Sequence, residues 1–288
     1  DLSFEIRLDL AGSREHTAGT TIWKHVNMNL QVSSDPQHLQ AILGHELAHV
    51  AMGVMTEGRL KDRVFHEGVA SFVEKELFND DKSQSTWIVA ATIWQWHRIK
   101  FHELVESRTL GTKWDNNVVY PLGETFFAVL VERHGRDMLQ SLIVQVKTNT
   151  DLQRLSGMIF WRELFRKVNL NLGEEIDAWH KALETHASGA NVLSLSAPSG
   201  LADSDQHFVY VTLSEDIPEG YKLYVRARAG TDSADLQHVP LELHPEWGYY
   251  YARRSHFPGG KMQYQIAYQK DDIHVWGKWI DCTLVVSE

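Results

Sequence analysis

Apolar and polar residues alternate along Phe4-Glu5-Ile6-Arg7-Leu8-Asp9-Leu10 and, in part, from Ile22 to Leu30. A period of two turns one side of the chain toward a core, so both runs predict strands. The period then lengthens. Asp35-Pro36 supplies an N-cap followed by proline at the first helical position, and Leu39, Ile42, Leu43, Leu47 and Val50 recur every three or four residues until Gly53. These signals predict a helix over about 36–52.

The same repeat predicts helices over roughly 62–78, 85–106, 121–134, 137–148 and 156–186, with Gly135 ending the third of these and a break near Asn171-Leu172-Gly173 in the last. Beyond His186 the helical pattern stops. Ser188-Gly189-Ala190 and Ala197-Pro198-Ser199-Gly200 read as linkers, and short alternating runs follow at about 207–214, 221–229, 237–243, 248–252, 263–269 and 273–286. About 100 residues of that kind suggest a β-sandwich. The expected fold class is α+β: a mainly helical domain with a small N-terminal sheet, residues 1–187, then an all-β sandwich domain, residues 188–288.

Composition narrows the function. A net charge of −10, with no basic run beyond Arg253-Arg254, excludes a nucleic-acid partner, because phosphate binding needs a concentrated positive footprint. No apolar stretch reaches the roughly 18–20 residues that span a bilayer, so no transmembrane segment is expected. The single cysteine, Cys282, permits neither an internal disulfide nor a Cys-based metal site, and reads as a small hydrophobe in a strand. Beginning at Asp1 rather than Met, the chain reads as processed or trimmed.

One segment carries chemistry. His45-Glu46-Leu47-Ala48-His49 fits His-Glu-x-x-His on a predicted helix, the setting that motif requires. At about 100° per residue, positions 45 and 49 lie roughly 40° apart around the axis, so their imidazoles share a face and can share one ion. Glu46 sits on the adjoining flank, within reach of a water on that ion. The five-residue pattern arises by chance less than about once in ten chains of this composition, so a third ligand is the stronger test. Catalytic zinc is commonly held by two histidines and a glutamate with one position left open. The segment Phe65-His66-Glu67-Gly68-Val69-Ala70-Ser71-Phe72-Val73-Glu74 offers Glu67 on the next predicted helix.

Taken together, His45-Glu-Leu-Ala-His49 and Glu67-Gly-x-Ala-Ser-Phe-Val-Glu74 resemble the paired signatures of the gluzincins, especially aminopeptidase N-like enzymes and the broader peptidase MA-like group. The gap between the two is one residue shorter than in the aminopeptidase N-like enzymes. Tyr120-Pro-Leu-Gly-Glu-Thr-Phe-Phe, Leu130-Val-Glu-Arg-His-Gly135 and Asn171-Leu-Gly-Glu-Glu-Ile-Asp-Ala-Trp179 are similar to the helical tail of peptidase MA-like domains. The resemblance covers roughly residues 18–186. It implies a zincin-like domain, a zinc ion on His45, His49 and Glu67, Glu46 as general base and acid, and Tyr120 as stabiliser of the tetrahedral intermediate. Tyr120 has a second reading as a helix-start aromatic packed on the core.

The implied activity is zinc-dependent hydrolysis of peptide bonds in a peptide or protein substrate. An endopeptidase is favoured over an aminopeptidase, because no Gly-x-Met-Glu-Asn-like segment precedes the motif. A rival of another class is a non-catalytic zinc-binding protein, which has no need of a base at Glu46. The resemblance and the β appendage also imply a secreted or periplasmic protein. Asp62 and His134 are candidates to orient a ligand imidazole, and His97, His102, His134, His180 and His186 otherwise read as exposed helix positions. Trp87, Trp94 and Trp96 read as a core stripe, with a binding platform as the alternative. Trp247, Tyr249, Tyr250 and Tyr251 are packing residues or a surface for protein or glycan contact. Residues 18–22 are expected to form an edge strand that pairs with an extended substrate.

Overall fold

The computed structural model describes residues 5–9, 19–22, 25–29, 36–78, 82–106, 109–189, 201–205, 208–211, 217, 220–229, 236–243, 250–257, 260–270, 273–275 and 278–284. Helices and several sheets are both present. The chain divides into two compact units: Asp1–Trp87 with Phe101–Ser107 and Val119–Ala182, and Ile88–Lys100 with Arg108–Val118 and Leu183–Glu288.

The first unit opens on three strands. β1 (Glu5–Asp9) runs parallel to β3 (His25–Asn29), and β2 (Gly19–Ile22) runs antiparallel to β3 on its other side. The alternation from Ile22 to Leu30 therefore resolves into the end of β2 and the whole of β3, while Ala18 lies outside the described residues. The long helix α1 (Pro36–Met55) starts at a proline, whose missing N–H is no loss in a first turn. Its Leu39, Ile42, Leu43, Val50 and Val54 close over Val26 and Met28 of β3, and that cluster seats the helix on the sheet.

Helix α2 (Arg63–Phe78) follows after a short loop. Asp62 caps it: Oδ1 accepts from the Phe65 N–H at 3.0 Å, and Oδ2 accepts from Trp161 Nε1–H at 3.1 Å. Burial pushes the Asp62 carboxyl up to about 6, against the hydrogen bonds that favour its charged form. A group whose pKa rises on folding contributes most below its unfolded value, and that contribution fades as pH climbs through the folded value. Asp62→Ala strands both donors and is expected to cost roughly 2–4 kcal/mol at pH 4. The cost should shrink as the pH rises from 4 to about 7, past the folded value. Urea unfolding at the two pH values checks both the size and the sign.

Helix α5 (Val119–His134) crosses α2 where Gly68 meets Gly123: a Cβ on Gly68 would lie 2.8 Å from the Gly123 carbonyl carbon. Both positions are restricted to glycine by that approach, and it sets the spacing of the helices that carry Glu67 and Tyr120. Beneath them Phe65, Phe126, Phe127, Phe165, Trp161 and Trp179 are fully buried, with Trp179 Nε1–H donating to Thr125 Oγ1 at 3.0 Å. Trp161 belongs to α7 (Gly157–Lys167) and Trp179 to α8 (Leu172–Gly189), while α6 (Asp137–Thr148) packs on α1, α5 and α7.

The pattern over 85–106 predicts one helix, and two are found, α3 (Lys82–His97) and α4 (Phe101–Val105). Arg98 takes a φ of +48° between them, a left-handed conformation that ends a right-handed helix. Apolar periodicity continues across the break because Ile99 and Phe101 are both buried.

In the second unit all described strand pairs are antiparallel. One sheet has the order β11 (Ile273–Val275), β10 (Gly260–Lys270), β6 (Lys222–Arg228), β7 (Gln237–Pro240), with β12 (Ile280–Leu284) also on β10. The other has the order β4 (Leu201–Asp205), β5 (Phe208–Val211), β9 (Tyr250–Arg253), β8 (Glu242–Leu243). β4 is absent from the strands expected, because Leu201-Ala202-Asp203-Ser204-Asp205 has no apolar alternation. Buried Asp115 accepts from Arg226 Nη1 and Gln265 Nε2, each at 2.8 Å, which ties the 109–118 segment to the first of these sheets. Trp94 is buried and Trp96 lies against Tyr268. His97, expected to be exposed, is half-buried with its ring 5.5 Å from Trp114, and burial pulls it down to about 4. Trp247 and Tyr249 lie outside the described residues.

Candidate metal centre

Ile42 and Val50 face the sheet, and the spacing of α1 turns His45 and His49 roughly 100° away from the centre of that apolar stripe, toward α2. Phe65, Val69 and Phe72 hold α2 by burial, which turns Glu67 back over the two imidazoles. His45 Nε2 lies 3.2 Å from His49 Nε2, and Glu67 Oε2 lies 3.3 Å from each. The triangle is close to equilateral. A tetrahedral cation with ligands at about 2.0–2.1 Å has ligand–ligand edges of roughly 3.3–3.4 Å, so three side chains from two helices match one face of such a site. The donor set, two imidazoles and one carboxylate, also suits zinc.

The electrostatics of the cluster have the same origin. Burial lowers the proton affinity of His45, but hydrogen bonds and charge from Glu67 and Glu74 outweigh it and lift the imidazole to about 9. Burial pushes the Glu67 carboxyl up, yet hydrogen bonds to His45 and His49 hold it far below the usual carboxylate range.

Glu74 has a contact to which the motif assigns no role. Its Oε2 is 3.1 Å from His45 Nδ1, so the ring donates there and presents Nε2 to the triangle. The signal was in the spacing: seven residues are two turns, which puts Glu67 and Glu74 on one face of α2. Asp62 and His134 are engaged elsewhere, Asp62 as the α2 cap and His134 with Glu175 at 3.0 Å. Carboxylates behind metal-bound imidazoles fix tautomer and orientation, and losing one typically costs about 10–100-fold in metal affinity. Glu74→Gln keeps an acceptor and removes the charge. It is expected to weaken zinc binding within that range, as read by competition with a chromophoric chelator.

Glu46 is buried, one position from His45 and turned toward the sheet, where Thr21 Oγ1–H donates to its Oε2 at 2.5 Å. Tyr120, at the start of α5, has its ring centroid 5.9 Å from that of His45. Burial first, then the charge of Glu67, pushes its phenol up to about 12 despite Arg63, so the O–H remains a donor. His66 is directed elsewhere: Nε2 donates to the Leu60 carbonyl at 3.0 Å, and burial lowers its affinity for a proton. The structure thus brings His45, His49 and Glu67 to one point, sets the Tyr120 ring beside His45, and turns Glu46 to Thr21 on the sheet side of α1. No family model matches the sequence, and no curated protein matches it.

Proposed function

We propose that the protein is a zinc-dependent peptidase of the gluzincin type, cleaving peptide bonds within a peptide or protein substrate. The observation that carries the reading is the His45–His49–Glu67 triangle, with Glu46 next to His45 in the chain. When bound, zinc supplies Lewis acidity, lowering the pKa of a coordinated water toward 7. Glu46 takes the proton from the attacking water and delivers it to the departing amine, which an amide needs because its nitrogen leaves poorly unprotonated. Tyr120 donates its O–H to the oxyanion that develops on the carbonyl. His45 is held in its ligating orientation by Glu74.

On this reading the first unit is a zincin-like domain, and the two sheets of the second form the sandwich of an accessory domain. β2 ends its sheet among the described residues. Its outer edge suits an extended substrate, since main-chain pairing holds a peptide whatever its side chains. The test is cleavage of peptides with blocked and with free N-termini by protein carrying one zinc. An endopeptidase cuts both; cleavage restricted to free N-termini indicates an aminopeptidase.

A further inference from the structure

Glu46 is 6% exposed, and a buried carboxylate needs donors. Among the described residues the side chain that donates to it is Thr21, at 2.5 Å from Oε2, with the Glu46 main-chain carbonyl 3.2 Å from the same hydroxyl. Thr21 comes from β2, not from the helix that bears the motif, and pairs in register with Val26 of β3. Strand residues alternate faces, so Thr20 is turned the other way and a slip of one residue would remove the contact. A β-branched side chain is also stiff at χ1, so the position of the hydroxyl follows from that of the strand.

The geometry points to Thr21 as a positioning residue for the general base, an inference that rests on the peptidase reading above. A glutamate on an exposed helix face samples several rotamers, whereas proton transfer needs one oxygen held within hydrogen-bond reach of the water. With Oε2 occupied by Thr21, Oε1 is the oxygen left to take the proton. The same residue belongs to the strand whose outer edge suits the substrate. On that reading one element would set both the substrate and the base.

The test compares wild type, Thr21→Val and Thr21→Ser as zinc-loaded full-length chains, on a peptide that wild type cleaves. Valine is isosteric and keeps the strand, while serine keeps the hydroxyl. Thr21→Val is expected to lower kcat by roughly 10–100-fold, the scale of a reacting group displaced by about 1 Å. KM and zinc content should stay at wild-type values, and Thr21→Ser should recover most of kcat. A Thr21→Val enzyme with wild-type kcat overturns the assignment. So does equal loss in the serine variant, or a loss that appears in KM or zinc affinity instead. Metal-free crystals give a readout independent of activity: one Glu46 rotamer in wild type and Thr21→Ser, a shifted or divided one in Thr21→Val. If zinc-loaded wild type cleaves nothing, the peptidase reading fails and the crystals still decide, since an unmoved Glu46 in Thr21→Val removes the role of Thr21.

Discussion

Glu46→Gln is expected to leave zinc bound and to lower peptide hydrolysis by roughly 10²–10⁴-fold, the usual cost of a lost general base. The substitution preserves length and leaves one oxygen to accept from Thr21, so α1 and its seat on Val26 and Met28 should be undisturbed. What the amide cannot do is take a proton from water. Because His45, His49 and Glu67 make up the triangle without Glu46, metal content and catalysis should separate cleanly. Metal analysis and steady-state rates on the same preparation check this. A variant that hydrolyses at near wild-type rate would sink the role given to Glu46.

His49→Ala should act in the opposite way, reducing metal binding and activity together. Its Nε2 is one corner of the triangle, and the two remaining side chains, His45 and Glu67, already hydrogen-bond each other at 3.3 Å. Without the second imidazole that ion pair closes on itself and competes with the metal. Loss of a ligand must exceed the roughly 10–100-fold expected for Glu74, which only supports one. Zinc titration of the three proteins should therefore rank them wild type, Glu74→Gln, His49→Ala. Equal affinities for Glu74→Gln and His49→Ala would mean that His49 is not a ligand.

Local rules made much of this site readable. Residues four apart on a helix share a face wherever the helix sits, so the pairing of His45 and His49 follows from the motif and from Pro36 starting the helix. Glu67 depends on a second helix returning over the first, and the spacing of that helix from the one bearing Tyr120 is set by the Gly68–Gly123 contact, between residues 55 positions apart. Nothing in local pattern announces such a contact. Thr21 is the extreme case: a polar residue in a short strand, 25 positions from Glu46, whose importance exists only once β2 is docked. Strand boundaries failed for related reasons. β4 lacks alternation, and the Ile22–Leu30 run spans two strands because β2 and β3 are separated by only two residues. The break at Arg98 was hidden by apolar residues on both sides of it.

A zinc ion held by the triangle and serving hydrolysis is tested most directly by mass-spectrometric cleavage profiling of a peptide library with three samples: zinc-loaded protein, the same protein after chelation, and zinc-loaded Glu46→Gln. Internal cuts are expected in the first sample alone, restored to the second by returning one equivalent of zinc. A zinc-saturated wild-type protein that leaves the whole library intact, or cleavage that persists equally after chelation, would contradict it.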